Sequence, residues 1–515
     1  MPANADLTTS LSRLASAQAG EVRAYCRYDE AGNRSEIGYL GGGVAYFTYY
    51  NYDERNQLQE LTDPHGQTVY YEHDELGREV EKALPNGVTT YHKYDDASQI
   101  TDIIHLGPSG VLQSLYYAYD AAGRRTRIDR EDGTSIYYGY DDADRLTGED
   151  WLDPSDGHIY GFAYEYDDAG NRQKKTFNGE VTYYDYNNLN RLTTERVLGG
   201  EATYYTWTAD GEMATKQEAA GGTYYTWDVD ESLTKIEAPA TTLENKYNAR
   251  MQRVWRSEDG NGESLVYDAQ KLVAEATTVG LERYYLSEGG SVYSPLVSQL
   301  GSQHWFQFDA LGTTLGLTDG SGGLSDTFRY EAFGTRLGRT GTTETPYQYV
   351  GGYGYFEEAG VGLEQVWWRW YENRTASWSA ADPVELMKPY VYVDSSPASA
   401  TDPMGLERYN PYLDPAFLWQ INRPFYNPYG WPIPKRPSRT KRSHVNKPRV
   451  RPECPVDRDQ RALDMARSGE VYIPGSPNDP YHNWGTPGVE KGLQDCMAQP
   501  LPLLPTVRHV PYPKR

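Results

Sequence analysis

An aromatic residue followed by Asp or Asn, or a close variant of that pair, recurs at Tyr28, Tyr52, His73, Tyr94, Tyr119, Tyr140, Tyr166, Tyr186, Trp207, Trp227 and Tyr247. The intervals are 24, 21, 21, 25, 21, 26, 20, 21, 20 and 20 residues. A near-constant period means that one supersecondary unit is copied and stacked, which removes most folds from consideration. The clearest copies, "YAYDAAGRRTRI", "YGYDDADRLTGE" and "YEYDDAGNRQKK", alternate Tyr with small or polar residues, then turn through Asp-x-x-Gly or a variant, then alternate again. Alternation is the signature of a strand with one face toward the core. Gly supplies the positive φ of a tight loop, and Asp accepts hydrogen bonds from its own backbone a few residues on. A period of about 21 residues holds two strands of ordinary length and two turns. Propeller blades need roughly twice that length and Ca²⁺-binding nonapeptide solenoids about half, so the period predicts an array of β-hairpins.

Composition agrees. The 515 residues include 47 Tyr against 10 Phe, together with 50 Gly, and the mean hydropathy is −0.76. Tyr favours strands and tolerates a half-wet surface, because its ring is apolar and its hydroxyl seeks a partner. The fold class expected is all-β.

Charge divides the chain. From Glu407 onward there are 17 Lys and Arg against 10 Asp and Glu, a balance of +7, which leaves −31 on residues 1–406. The larger part should repel nucleic acid and anionic membranes; a nucleic-acid partner is open to the basic tail only. Three cysteines, Cys26, Cys454 and Cys496, are too few for a disulfide framework and lack metal-ligand spacing, although the last two could pair within the tail. Nine His are scattered, and His73 occupies a Tyr slot of the repeat. "LGGGVAYF" has no Lys-Ser/Thr after its glycines, and "EGGSVYSPLVSQLG" has no nucleophile elbow. No cofactor or metal site is expected. No apolar run reaches the length of a membrane span, and "MPANADLTTSLSRLASAQAG" lacks the pattern of a secretory signal. A secreted or cell-surface location therefore requires a dedicated export system, with the cytoplasm as the location before export.

The repeats resemble the YD-repeat, or Rhs-repeat, family, whose motif is close to G-x-x-x-R-Y-x-Y-D-x-x-G-R-L; the resemblance spans about residues 22–260. It implies hairpins spiralling into one long sheet that forms a hollow shell, complete or partial. Residues 261–303 read as a connection. From about His304, "FQFDALGTTLGLTDGSG", "YEAFGTRLG", "GLEQVWWRWYENRTASWSAADP" and "YVYVDSSPASATDPMGL" resemble the Rhs repeat-associated core domain, over residues 304–406. Members of that kind cut themselves directly after D-P-x-G-L, which carries over to the Leu406–Glu407 bond. Their catalytic set of one Arg and two Asp carries over to Arg369, Asp382 and Asp402. Two neighbouring carboxylates share a proton, so one can activate water while the other donates to the scissile carbonyl. Against this stands the ordinary reading that Asp-Pro opens turns and Arg–Asp pairs brace structure. The sequence departs from the family at Glu385, where Gly is usual, and at Ala376 and Ser377, which replace Gly-Arg.

Residues 1–21 form an N-terminal segment and 407–515 a variable tail. "PKRPSRTKRSHVNKPRVRP" is too Pro-broken for a helix, while "PVDRDQRALDMARSGE" offers Asp457 as a cap for a short one. In the family this position holds a toxin; His444, Asp479 and His482 are the residues to test here. Two functions follow. One is a repeat shell of polymorphic-toxin type, related to insecticidal toxin-complex C subunits, that encloses or presents its own tail as cargo and cleaves itself. Its partners would be a further shell subunit or secretion machinery, and an immunity protein. The other is a non-enzymatic Tyr-rich adhesion or carbohydrate-binding repeat protein.

Overall fold

The computed structural model describes residues 23–41, 44–249, 251–268, 271–277, 280–288, 295–299, 302–383 and 388–406. The 1–21 segment, Glu385 and the whole 407–515 tail, with Glu407, His444, Cys454, Asp457, Asp479, His482 and Cys496, lie outside the described residues.

Among the described residues, twenty-seven strands, from β1 (Arg23–Tyr28) to β27 (Ser302–Gln303), form one sheet. Each strand pairs antiparallel with its neighbour in sequence, as β12 (Leu146–Leu152) does with β13 (His158–Tyr166). The all-β expectation is met, and among the described residues there is no α-helix. The stretch 261–303, expected as a connection, itself adds strands to the sheet, from β23 (Asn261–Asp268) onward. Residues 304–406 form two further sheets of four strands each, β28 (Trp305–Phe308) to β31 (Arg336–Thr340) and β32 (Phe356–Glu358) to β35 (Ser377–Trp378).

The repeat motif explains the register. At Asp141 the carboxylate oxygen Oδ1 accepts the amides of Ala143 and Arg145 at 3.0 and 2.9 Å, and the Asp144 amide donates to the Asp141 carbonyl at 3.0 Å. The fourth loop residue must then enter the left-handed region, as Asp144 does at φ 63° and Gly123 at φ 79° one repeat earlier. Such a turn with a left-handed fourth residue places a bulge beside the aromatic residue, and the register shifts between Gly139 and Tyr140 accordingly. That aromatic residue reaches back one repeat: Tyr94 donates to the Glu79 carbonyl at 2.8 Å, Tyr119 to Ile100 at 2.7 Å, and Trp227 Nε1 to Met213 at 2.7 Å. Each bond satisfies a carbonyl of the preceding hairpin, so the aromatic-Asp pair serves as both turn former and inter-repeat tie.

The two sheet faces differ in environment. In β5 (Thr68–His73), Val69 and Tyr71 are buried, whereas Tyr70 and Glu72 are exposed. Buried residues of the sheet such as Leu146, Phe162 and Tyr164 pack with Phe333, Tyr371, Trp378 and Tyr392 of the 304–406 segment. Others, including Leu192, Met213 and Leu233, pack with Leu363 and Trp370. Buried ion pairs cross the same interface: Lys175 to Glu331 at 2.6 Å, and Lys216 to Glu372 at 2.8 Å. The 304–406 segment is thereby fixed on one face of the repeat sheet.

Candidate active site

Three elements of the 304–406 segment converge on one guanidinium. Strand β34 (Arg369–Glu372) begins with Arg369, directly after the hairpin turn at Trp367 and Trp368. Asp382 follows β35, and its amide donates to the Pro389 carbonyl at 2.9 Å. Asp402 opens the Asp-Pro-Met-Gly-Leu turn, in which the Gly405 amide donates to the Asp402 carbonyl at 3.3 Å. Their side chains meet in the interior: Arg369 is 3% exposed, Asp382 6% and Asp402 3%.

Arg369 Nη2 lies 2.7 Å from Asp382 Oδ2 and 3.3 Å from Asp402 Oδ2. Its Nη1 donates to the Pro389 carbonyl at 3.2 Å, and Nε donates to the Gly405 carbonyl. The planar fork thus binds both carboxylates and the turn with one rigid group. The Trp378 ring lies beneath, its centre 4.0 Å from the guanidinium carbon, and contributes cation–π attraction to a buried charge. Burial pulls Arg369 below its usual pKa, while Asp402 and then Asp382 pull it back; an arginine so paired keeps its charge. One positive charge thus faces two buried carboxylates.

The turn is held against this cluster. Asp402 Oδ1 accepts the Leu406 amide at 2.9 Å. Gly405 has φ 68°, and a Cβ there would lie 2.9 Å from the Val366 carbonyl, so the motif's Gly is required twice over. Asp402 uses the same side-chain-to-backbone bond as the repeat aspartates: Asp120 Oδ1, for example, accepts the Arg124 amide at 2.9 Å. What distinguishes Asp402 is burial beside a second carboxylate.

The structure brings together Arg369, Asp382, Asp402 and Leu406 and leaves Glu407 outside the described residues. Ala376, which replaces a family Gly, holds φ 57°. Sequence reasoning missed Tyr355, whose hydroxyl meets the backbone of Asp402. It also missed Trp378, which stacks on the Arg369 guanidinium. Among the described residues no His, Cys, Asp and Glu group could hold a metal ion.

The RHS repeat family matches residues 52–90. The chain is 25% identical over 272 residues to the tRNA3(Ser)-specific nuclease WapA of Bacillus spizizenii, a match covering 47% of this chain and 11% of that protein. The crystal structures of TcdB2-TccC3-Cdc42 and of TcdB2-TccC3 without its hypervariable C-terminal region superpose with TM-scores of 0.51 and 0.53, at 16% and 15% identity. Each covers 75% of this chain.

The chain carries an RHS repeat.

The likeness to the TcdB2-TccC3 structures shows a shared fold over three quarters of this chain. The chain spans 24% of the length of those crystallised chains and 11% of the nuclease, so it corresponds to a fraction of each. Among the described residues no helix is long and apolar enough to cross a membrane.

Proposed function

We propose that this chain is a shell component of toxin-complex type that cleaves itself once, between Leu406 and Glu407, and so separates residues 1–406 from a C-terminal effector. The observation that carries this reading is the bond from Asp402 Oδ1 to the Leu406 amide, 2.9 Å, made by a carboxylate that shares Arg369 Nη2 with Asp382. A catalytic pair is thereby tethered to the residue whose carbonyl would be attacked, and proximity replaces substrate binding.

The chemistry is hydrolysis. The ionised member of the Asp382–Asp402 pair takes a proton from a water molecule, whose oxygen adds to the Leu406 carbonyl carbon while the protonated member donates to the carbonyl oxygen. Collapse returns that proton, the carbon–nitrogen bond breaks, and the Glu407 nitrogen leaves as an amine after taking the proton drawn from water. The products are a Leu406 carboxylate and a free Glu407 amino terminus. Arg369 holds both carboxylates in register and stabilises the ionised one.

The relatives support an effector in the tail, one being a nuclease and another a structure without its hypervariable C-terminal region. Export by a dedicated machine and assembly with a further shell subunit belong to the same proposal. Expression of the wild type beside Asp382→Asn and Asp402→Asn tests it. The wild type should yield two fragments and both variants one intact chain. Cleavage that persists in Asp402→Asn removes the carboxylate pair from the mechanism.

A further inference from the structure

Tyr355, directly before β32, is fully buried, and its hydroxyl makes two bonds to one residue. It donates to the Asp402 carbonyl at 2.9 Å and accepts the Asp402 amide at 3.3 Å, across 47 residues of chain. The Tyr392 hydroxyl lies 3.1 Å away and braces the first. Other buried tyrosines of this core tie down ordinary main chain: Tyr349 donates to the Ala332 carbonyl at 2.8 Å and Tyr371 to the Phe333 carbonyl at 2.9 Å. Tyr355 alone among these three grips a residue of the Arg369 cluster, and it grips both main-chain polar groups.

We infer that Tyr355 is the positioning residue of the self-cleavage proposed above, fixing the Asp402 main chain so that one carboxylate oxygen faces Arg369 and the other faces the Leu406 amide. The inference rests on that proposal. The division of labour at Asp402 is exacting, since Oδ2 lies 3.3 Å from Arg369 Nη2 while Oδ1 is 2.9 Å from the Leu406 nitrogen. Both contacts depend on the direction of the Asp402 Cα–Cβ bond, and that direction is set by the peptide units Tyr355 clamps. The tyrosine keeps its proton, because burial first, then the charges at Tyr392 and Asp402, drive its pKa well above the ordinary value. It therefore remains a donor throughout the reaction and takes no part in proton transfer. The charged groups facing Asp402 are Arg369 from β34 and Asp382 from the segment after β35.

The test follows cleavage of the full chain in cell-free synthesis, by pulse-labelling and a chase at several pH values. Wild type, Tyr355→Phe and Tyr349→Phe are compared, with Asp402→Asn as the uncut reference. Both Phe variants lose one buried hydroxyl from the same core, so a purely structural role predicts equal effects. Positioning predicts that Tyr355→Phe slows cleavage by about 10- to 100-fold, the cost of a misplacement near 1 Å, while Tyr349→Phe stays near the wild-type rate. It also predicts a displaced acid limb of the rate–pH curve in Tyr355→Phe alone, as the Asp402 carboxylate draws away from Arg369. A Tyr355→Phe chain that cleaves at the wild-type rate, or is slowed no more than Tyr349→Phe with an unmoved pH curve, overturns the inference and leaves the cleavage proposal standing. A wild type that stays intact overturns both.

Discussion

The side chain of Arg145 spans two repeats: its Nε lies 2.7 Å from Asp141 Oδ2 in its own loop, and its guanidinium sits 4.9 Å from the ring centre of Tyr166 in the next. The pattern recurs with Arg124, which lies 2.6 Å from Asp120 and 4.9 Å from the Tyr140 ring. The Asp-x-x-Gly-Arg wording is thus a cross-brace between hairpins, in which one cation serves a carboxylate and an aromatic face. An exposed ion pair alone is worth little, and the stacked ring adds to it. A double-mutant cycle with Arg145→Ala and Tyr166→Leu should give a coupling energy of about 0.5–1 kcal/mol by urea unfolding. Strict additivity would mean that the contact contributes nothing.

The backbone tie should also be measurable on its own. Tyr119→Phe keeps the ring and removes the hydroxyl that donates to the Ile100 carbonyl at 2.7 Å. Loss of about 1 kcal/mol is expected, read as a lower urea midpoint with an unchanged slope.

Lys216 tests the attachment of the 304–406 segment to the sheet. Glu372 is almost wholly buried; burial would raise its pKa, but Lys216, then Arg374, more than offset this and hold it below the usual carboxylate value. Lys216→Met leaves that carboxylate with only the more distant Arg374 and the Thr375 hydroxyl, and should cost about 2–3 kcal/mol. Adding Glu372→Gln should recover most of the loss. If the single and double variants unfold at the same denaturant concentration, the charge is not what matters there.

Acid should loosen the same interface at His105. The imidazole is buried between the Thr90 hydroxyl, 2.9 Å from Nδ1, and the Phe308 carbonyl, 3.1 Å from Nε2. Burial first, and the charge of His92 second, lower its pKa to about 3. A group held neutral in the fold and titrating near 6.5 when unfolded stabilises fully above that value, and its contribution is lost as pH falls from 6.5 toward 3. The loss attributable to His105 should reach about 2 kcal/mol at pH 5. His105→Gln should flatten the pH dependence of the urea midpoint between pH 7 and 5; an unchanged slope would place acid sensitivity elsewhere.

These contacts mark what a sequence can and cannot announce. The loop at Asp141 was legible because turn chemistry is local: a carboxylate, its neighbouring amides and a left-handed fourth residue lie within five positions. The meeting of Arg369 with Asp382 and Asp402 was reachable only through resemblance to a family pattern, since nothing in their spacing brings three charges into a dry site. Two things could not be read at all. One was the clamp of Tyr355 on Asp402, where 47 residues intervene. The other was the partnering of Lys175 and Lys216 with glutamates far along the chain. Both depend on how the 304–406 segment lies on the sheet, and packing of this kind leaves no local signature. The alternation of Tyr70 and Tyr71 was legible as a strand, but which tyrosine faces inward is settled only by the register of the neighbouring hairpins.

The central claim is that the Leu406–Glu407 bond is broken by this chain itself, and mass spectrometry of the purified protein tests it most directly. The account predicts two species whose masses sum to that of the full chain plus one water, the smaller beginning at Glu407 with a free amine. A single intact mass from the folded wild type, or a new terminus at any other bond, would contradict it.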